Sequence, residues 1–123
     1  MEIAIIGAGA TGLLYAHQMA DIFSVKLYCK REEQRNLIHE EGVTLVDGEQ
    51  KTNKKIKVEL FRNETEMNED VLIVTVKQYS LESIVRNLKK YQNKTILFLQ
   101  NGMNHINYLH DLKQNKIFVG VIE

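Results

Sequence analysis

Gly7-Ala8-Gly9-Ala10-Thr11-Gly12 sets three glycines at the spacing G-x-G-x-x-G, and the chemistry that this spacing supports is the binding of a dinucleotide's pyrophosphate. Each glycine has its own task. Gly7 allows a tight turn, Gly9 lets backbone approach the pyrophosphate, and Gly12 lets a helix pack closely on a strand. Backbone N–H groups at the start of the following helix then face the anion. A glycine-rich turn needed only for packing would carry the same residues. The context favours the dinucleotide: the motif directly follows the apolar run Ile3-Ala4-Ile5-Ile6 and opens a segment of helical period.

Which dinucleotide is decided at the end of the second strand, about 20 residues past the glycines, where a carboxylate would hold the ribose 2′-hydroxyl of NAD. This sequence has Cys29-Lys30-Arg31 there, with Glu32 and Glu33 following only as the next helix starts. A guanidinium and an ammonium suit a 2′-phosphate through charge-assisted hydrogen bonds. NADP(H) is therefore the expected cofactor, the alternative being a solvated basic pair in a loop. Two later strand ends carry unusual polar residues, Lys77-Gln78-Tyr79-Ser80 and Gln100-Asn101-Gly102-Met103-Asn104. Lys77 would neutralise cofactor phosphate or hold a ribose oxygen, or else simply starts a loop. Asn101 would present an amide to the nicotinamide ribose or the substrate, with Gly102 allowing close approach; an ordinary Asn-Gly turn is the other reading.

The elements that must position these residues follow from the apolar pattern. Ile3 to Ile6 reads as a parallel strand buried on both faces. Leu13, Leu14, His17 and Ala20 recur at helical spacing, predicting a helix from about Thr11 to Asp21, and Val25 to Cys29 is the second strand. Glu32 to Glu41 reads as a helix closed by Gly42. Val43 to Val46 and Ile56 to Leu60 are expected to pair as a hairpin around Asp47-Gly48, inserted at the margin of the sheet, with Lys51, Lys54, Lys55 and Lys57 on its wet side. Val71 to Val76 is a strand, Leu81, Ile84, Val85 and Leu88 an amphipathic helix, Thr95 to Leu99 a strand, Ile106 to Leu112 a short helix and Ile117 to Ile122 a last strand. Strands alternating with helices imply an α/β fold with a doubly wound, mostly parallel Rossmann sheet and an inserted β-hairpin. No repeat or long linker interrupts the 123 residues, so they are expected to form one domain.

Composition narrows the function. Sixteen basic against sixteen acidic side chains give no net charge, which argues against a footprint for nucleic acid or an acidic membrane. No apolar run approaches the roughly 20 residues of a membrane span. One cysteine, Cys29, permits no disulfide within the chain, and a cytoplasmic, reducing compartment is expected. Cys29 itself reads as buried and inert. His17 reads as a satisfied structural histidine. With His105 and His110 it is too sparse for a metal site, so no metal is expected.

Taken in order and spacing, the amino-terminal G-A-G-A-T-G, an arginine past the second strand, Thr75-Val76-Lys77-Gln78-Tyr79, Gln100-Asn101-Gly102-Met103 and the hairpin after Gly42 resemble the ketopantoate reductase (2-dehydropantoate 2-reductase) family over essentially the whole chain. The resemblance implies that Gly7, Ala8, Gly9, Ala10, Thr11, Gly12, Arg31, Lys77 and Asn101 contact NADP(H), and that Asn101 also touches the substrate. It implies an oxidoreductase that reduces 2-dehydropantoate, a small 2-keto acid, to pantoate with NADPH, on the route to pantothenate and coenzyme A. In that family the proton donor is a lysine of a second, helical domain that also carries a supporting glutamate and most substrate contacts. Residues 1–123 match only the NADP-binding domain, so no catalytic residue is assigned and a domain that binds NADP(H) without turnover is expected. A homodimer is compatible with the family. The alternatives are a stand-alone nucleotide-sensing regulatory Rossmann module and a related NADP-dependent ketoacid reductase.

Overall fold

A computed structural model describes residues 1–77, 80–100, 112 and 114–121. The elements run β1 (Glu2–Ile6), α1 (Ala10–Met19), β2 (Ser24–Cys29), α2 (Glu32–Glu41), β3 (Val43–Asp47), β4 (Gln50–Lys54), β5 (Lys57–Leu60), β6 (Val71–Val74), α3 (Leu81–Leu88), β7 (Thr95–Gln100) and β8 (Lys116–Val121). Six strands form one sheet in the order β5-β2-β1-β6-β7-β8, and every neighbouring pair is parallel. The chain leaves β1 toward β2 and β5, then returns to β6 on the other side. The order therefore reverses at β1 and β6, where open α/β sheets form their ligand crevice.

The unbroken apolar run of β1 is explained by a core on each face. Ile3 and Ile5 pack with Ala16 of α1, Ile38 of α2 and Val25, Leu27 and Val58 of the neighbouring strands. Ala4 and Ile6 face the opposite way, toward Leu72, Val74, Ile96 and Phe98 and the inner stripe of α3. That stripe, Leu81, Ile84, Val85 and Leu88, has the i, i+3, i+4, i+7 spacing read from the sequence and is fully buried. Burying each such side chain contributes about 1.5–3 kcal/mol. No helix among the described residues is long and apolar enough to cross a membrane.

The hairpin exists, but its second arm differs from the expected one. β3 pairs antiparallel with β4, from Val43 opposite Lys54 to Asp47 opposite Gln50, as a separate two-stranded sheet, with Gly48 at φ +63° in the turn. Ile56 to Leu60 belongs instead to the main sheet, where β5 lies parallel to β2. The alternation of Ile56, Val58 and Leu60 with Lys57 and Glu59 fits either role, because an edge strand is also wet on one face. β4, Gln-Lys-Thr-Asn-Lys, has no apolar residue to betray it. Its lysines are not all solvated: Lys54 Nζ donates to the carbonyl oxygen of His17 over 2.8 Å and meets Asp21 at 2.6 Å, tying the hairpin to α1. His17 is buried and bonds the carbonyl oxygen of Thr52 through Nε2 at 2.9 Å. Its Nδ1 has no partner among the described residues, so it is not the fully satisfied histidine expected. α1 ends at Met19 and β6 at Val74, each two residues earlier than the sequence pattern suggests. The expected helix from Ile106 to Leu112 falls almost wholly outside the described residues.

Candidate functional site

The glycine turn hangs between the ends of β2 and β6. The amide of Gly7 donates to the carbonyl oxygen of Tyr28 over 2.9 Å, and the amide of Thr75 to that of Ile6 over 2.9 Å. Gly7 has φ +116°, a conformation that side chains strain to adopt, and a Cβ there would lie 2.7 Å from Thr75 Oγ1. A Cβ on Gly12 would lie 1.9 Å from the carbonyl oxygen of Gly7. These two glycines are required by packing.

Gly9 is different. It is exposed and caps α1 with φ −77° and ψ −172°, angles open to any residue, and a Cβ there would meet nothing within 4 Å. Packing among the described residues therefore does not call for a glycine at this point. α1 begins here with no side-chain cap and no acidic residue in its first turn, so its first amides and the positive end of its dipole are left for an anion. The cradle thus fits a pyrophosphate. Ala8 is buried, Ala10 and Thr11 open α1, and Gln34 in the first turn of α2 donates through Nε2 to the carbonyl oxygen of Ala8 over 2.9 Å.

At the end of β2, Lys30 and Arg31 are exposed. Arg31 is the N-cap residue of α2 and makes no capping bond. Neither residue forms an ion pair with a carboxylate among the described residues. Cys29 in the same strand end is a buried free cysteine. Burial raises its thiol pKa, against the pull of the Arg35, Arg62 and Arg31 guanidiniums. Lys77 is exposed three residues past β6, on the same side of the sheet as the glycine turn. Asn101 lies outside the described residues. β7, which precedes it in the chain, pairs with β6 from Thr95 to Phe98 and ends at Gln100.

The sequence reading gave no role to three residues that shape this site. Thr75 Oγ1 lies 3.1 Å from the carbonyl oxygen of Ile6 and 3.2 Å from that of Gly7. Gln34 holds Ala8. Arg62, after β5, donates through Nη1 to the carbonyl oxygen of Lys30 over 2.8 Å. Only the strand order reveals the last of these. A groove of about 380 Å³ also runs along α1 between Ala10, Leu14, Leu37 and Leu45. Its lining is mostly apolar and it follows the helices away from the strand ends, so it does not supply the polar groups a dinucleotide needs.

The family model of ketopantoate reductase PanE/ApbA matches residues 3–123. The 2-dehydropantoate 2-reductase of Listeria innocua is 39% identical over 126 aligned residues, which take in 100% of this chain and 42% of that relative. The crystal structure of the probable 2-dehydropantoate 2-reductase of Bacillus subtilis superposes with a TM-score of 0.85 at 35% identity, over 100% of this chain and 42% of the other. A D-mandelate dehydrogenase solved with NADH and anilino(oxo)acetate superposes with a TM-score of 0.80 at 25% identity, over 98% of this chain and 40% of the other. The chain spans less than half the length of each of these proteins. With the family model covering nearly every residue and the sheet, hairpin and glycine cradle in place, the chain belongs to the ketopantoate reductase PanE/ApbA family.

Proposed function

We propose that residues 1–123 form the NADP(H)-binding domain of a 2-dehydropantoate 2-reductase. The observation that carries this is Gly9, open in front of the uncapped start of α1, with exposed basic residues at the end of β2 that form no ion pair among the described residues. The amides of the Gly7 to Gly12 turn would hold the pyrophosphate, Arg31 the 2′-phosphate, and Lys77 and Asn101 the nicotinamide side, with Asn101 also reaching the substrate. When bound, the reduced nicotinamide supplies a hydride to the keto carbon of a small 2-keto acid. The turn fixes where that ring lies, and the site still needs a general acid for the resulting alkoxide. We assign no residue of this chain to that step. In this reading the acid comes from the part of the relatives that the chain does not span.

A dinucleotide alone does not separate NADP(H) from NAD(H), as the NADH-bound D-mandelate dehydrogenase shares the fold. The basic end of β2 and the relatedness to 2-dehydropantoate 2-reductases support NADP(H). Family membership also favours the reductase over a nucleotide-sensing module. The test is titration of the 123-residue chain with NADPH and NADH, followed by 2-dehydropantoate. Tighter binding of NADPH, without its oxidation, is the expected result. Equal affinities would overturn the cofactor assignment, and NADPH oxidation would overturn the division of labour.

A further inference from the structure

β5 is the outer neighbour of β2, and the register that sets Cys29 opposite Leu60 brings the residues after each strand side by side. The amide of Phe61 donates to the carbonyl oxygen of Cys29 over 2.7 Å, carrying the pairing one step beyond β5. Arg62 follows at once. Its Nη1 donates to the carbonyl oxygens of Lys30, at 2.8 Å, and Phe61, at 3.3 Å, which fixes the guanidinium beside the peptide leading into Arg31. Its Nε and Nη2 have no hydrogen-bond partner among the described residues.

The loop that carries Arg62 is itself held. Buried Asn87 of α3 places Nδ2 within 3.3 Å of the carbonyl oxygens of Arg62, Asn63 and Thr65, and the Arg62 amide donates to Thr65 Oγ1 over 2.7 Å. Arg62 therefore starts from a fixed backbone, and less freedom is lost when it grips a ligand. Around it are Lys30, Arg31 and Arg35. None of the four forms an ion pair with a carboxylate among the described residues: Glu59 pairs with Lys26, and Glu32 and Glu33 point to no cation within ion-pair distance. The Arg31, Arg35 and Arg62 guanidiniums all lie within electrostatic reach of the Cys29 thiol. A held guanidinium beside exposed basic residues at a strand end, with no carboxylate ion-paired to them among the described residues, suits a phosphate monoester with three oxygens. One guanidinium fork satisfies two oxygens and leaves one for a second donor.

We infer that Arg62 is a second guanidinium for the ribose 2′-phosphate, acting with Arg31 to select NADP(H) over NAD(H). The inference rests on the NADP(H) reading above. It makes Arg62 a specificity-determining residue contributed by β5, a strand on the opposite side of β2 from the glycine turn.

The experiment measures, by calorimetry on the 123-residue chain, the affinities of wild type, Arg31→Ala, Arg62→Gln and Arg62→Lys for four ligands: NADPH, NADH, adenosine 2′,5′-bisphosphate and 5′-AMP. Arg62→Gln should weaken both 2′-phosphorylated ligands by about 10- to 100-fold and change the other two by less than about twofold. Arg62→Lys keeps the charge without the fork and should show a smaller loss on the same two ligands; it carries the question if Arg62→Gln does not fold. Equal losses on all four ligands would mean that Arg62 only braces the Lys30 peptide, and the inference fails. No loss on any ligand overturns it too. If wild type prefers NADPH and Arg31→Ala abolishes that preference while neither Arg62 variant alters it, the inference falls and the NADP(H) reading stands. If wild type shows no preference, both fall.

Discussion

The hydroxyl of Thr75, at the end of β6, lies 3.2 Å from the carbonyl oxygen of Gly7, at the end of β1. The same hydroxyl would be 2.7 Å from a Cβ on Gly7 and 2.8 Å from one on Gly12. One side chain from the far half of the sheet thus sets the shape of the glycine turn. Thr75→Val keeps the bulk and removes the donor, and should cost about 1 kcal/mol of stability. It should weaken NADPH and NADH together, by about three- to tenfold, because the turn rather than the ribose contact is disturbed. Thr75→Ser should restore most of both. Denaturant unfolding with paired titrations checks this, and a loss confined to NADPH would contradict it.

Gly9 and Gly12 should separate binding from folding. Gly12→Ala forces a methyl against the Gly7 carbonyl and should destabilise the chain by at least about 1–3 kcal/mol. Gly9→Ala meets no protein atom and should unfold like wild type, yet lose at least about tenfold in dinucleotide affinity, because its methyl occupies the space in front of the α1 amides. Thermal unfolding and calorimetry on the two variants decide the matter. Unchanged affinity in Gly9→Ala would remove the pyrophosphate from this turn.

Alkaline stability should draw on two groups on β2, beside Tyr91, whose phenol burial also raises. Tyr28 is buried and donates to Glu69 Oε1 over 2.6 Å; burial first, then that bond, pushes its phenol far above the ordinary tyrosine range. Burial also raises the Cys29 thiol. Raised values in the folded state mean that the unfolded chain gives up these protons first. The stability they contribute is complete below about pH 8.5, the ordinary cysteine value, and is lost as the pH climbs through about 10 and beyond. Urea unfolding at pH 8, 9, 10 and 11 should show this decline, and Tyr28→Phe should flatten it above pH 10. An equally steep decline in that variant would show that another group is responsible.

Much of the architecture was legible because burial on both faces leaves a local signature. Ile3 to Ile6 could be read as a central strand, and Glu32 to Glu41 as a helix ending at Gly42, from neighbouring residues alone. Ile56 to Leu60 could not be placed, because its alternation reports one wet face and not which strand lies beside it. That misplacement hid Arg62: with β5 in a hairpin, the residue after it has no relation to Arg31. β4 was invisible for the opposite reason, since its pairing with β3 is made by backbone while its side chains are polar. In the site, the glycines announced themselves by type and spacing. The clamps, Thr75 Oγ1 and Gln34 Nε2, are ordinary polar side chains whose partners lie in other elements, and only the fold brings those partners within reach.

β1 is the strand through which the two halves of the sheet meet, and its neighbours lie far apart along the chain: Ile3 pairs with Val25 on one side and with Val71 on the other. On the ribosome, β1 gains its first neighbour early, while its second edge stays open until β6 has emerged. During that interval Ala4 and Ile6 have no helix over them, because α3 comes later still. Of the interior strands, β1 is thus the one left longest with a free edge, and it is where a nascent chain would be captured by a chaperone or by another copy of itself.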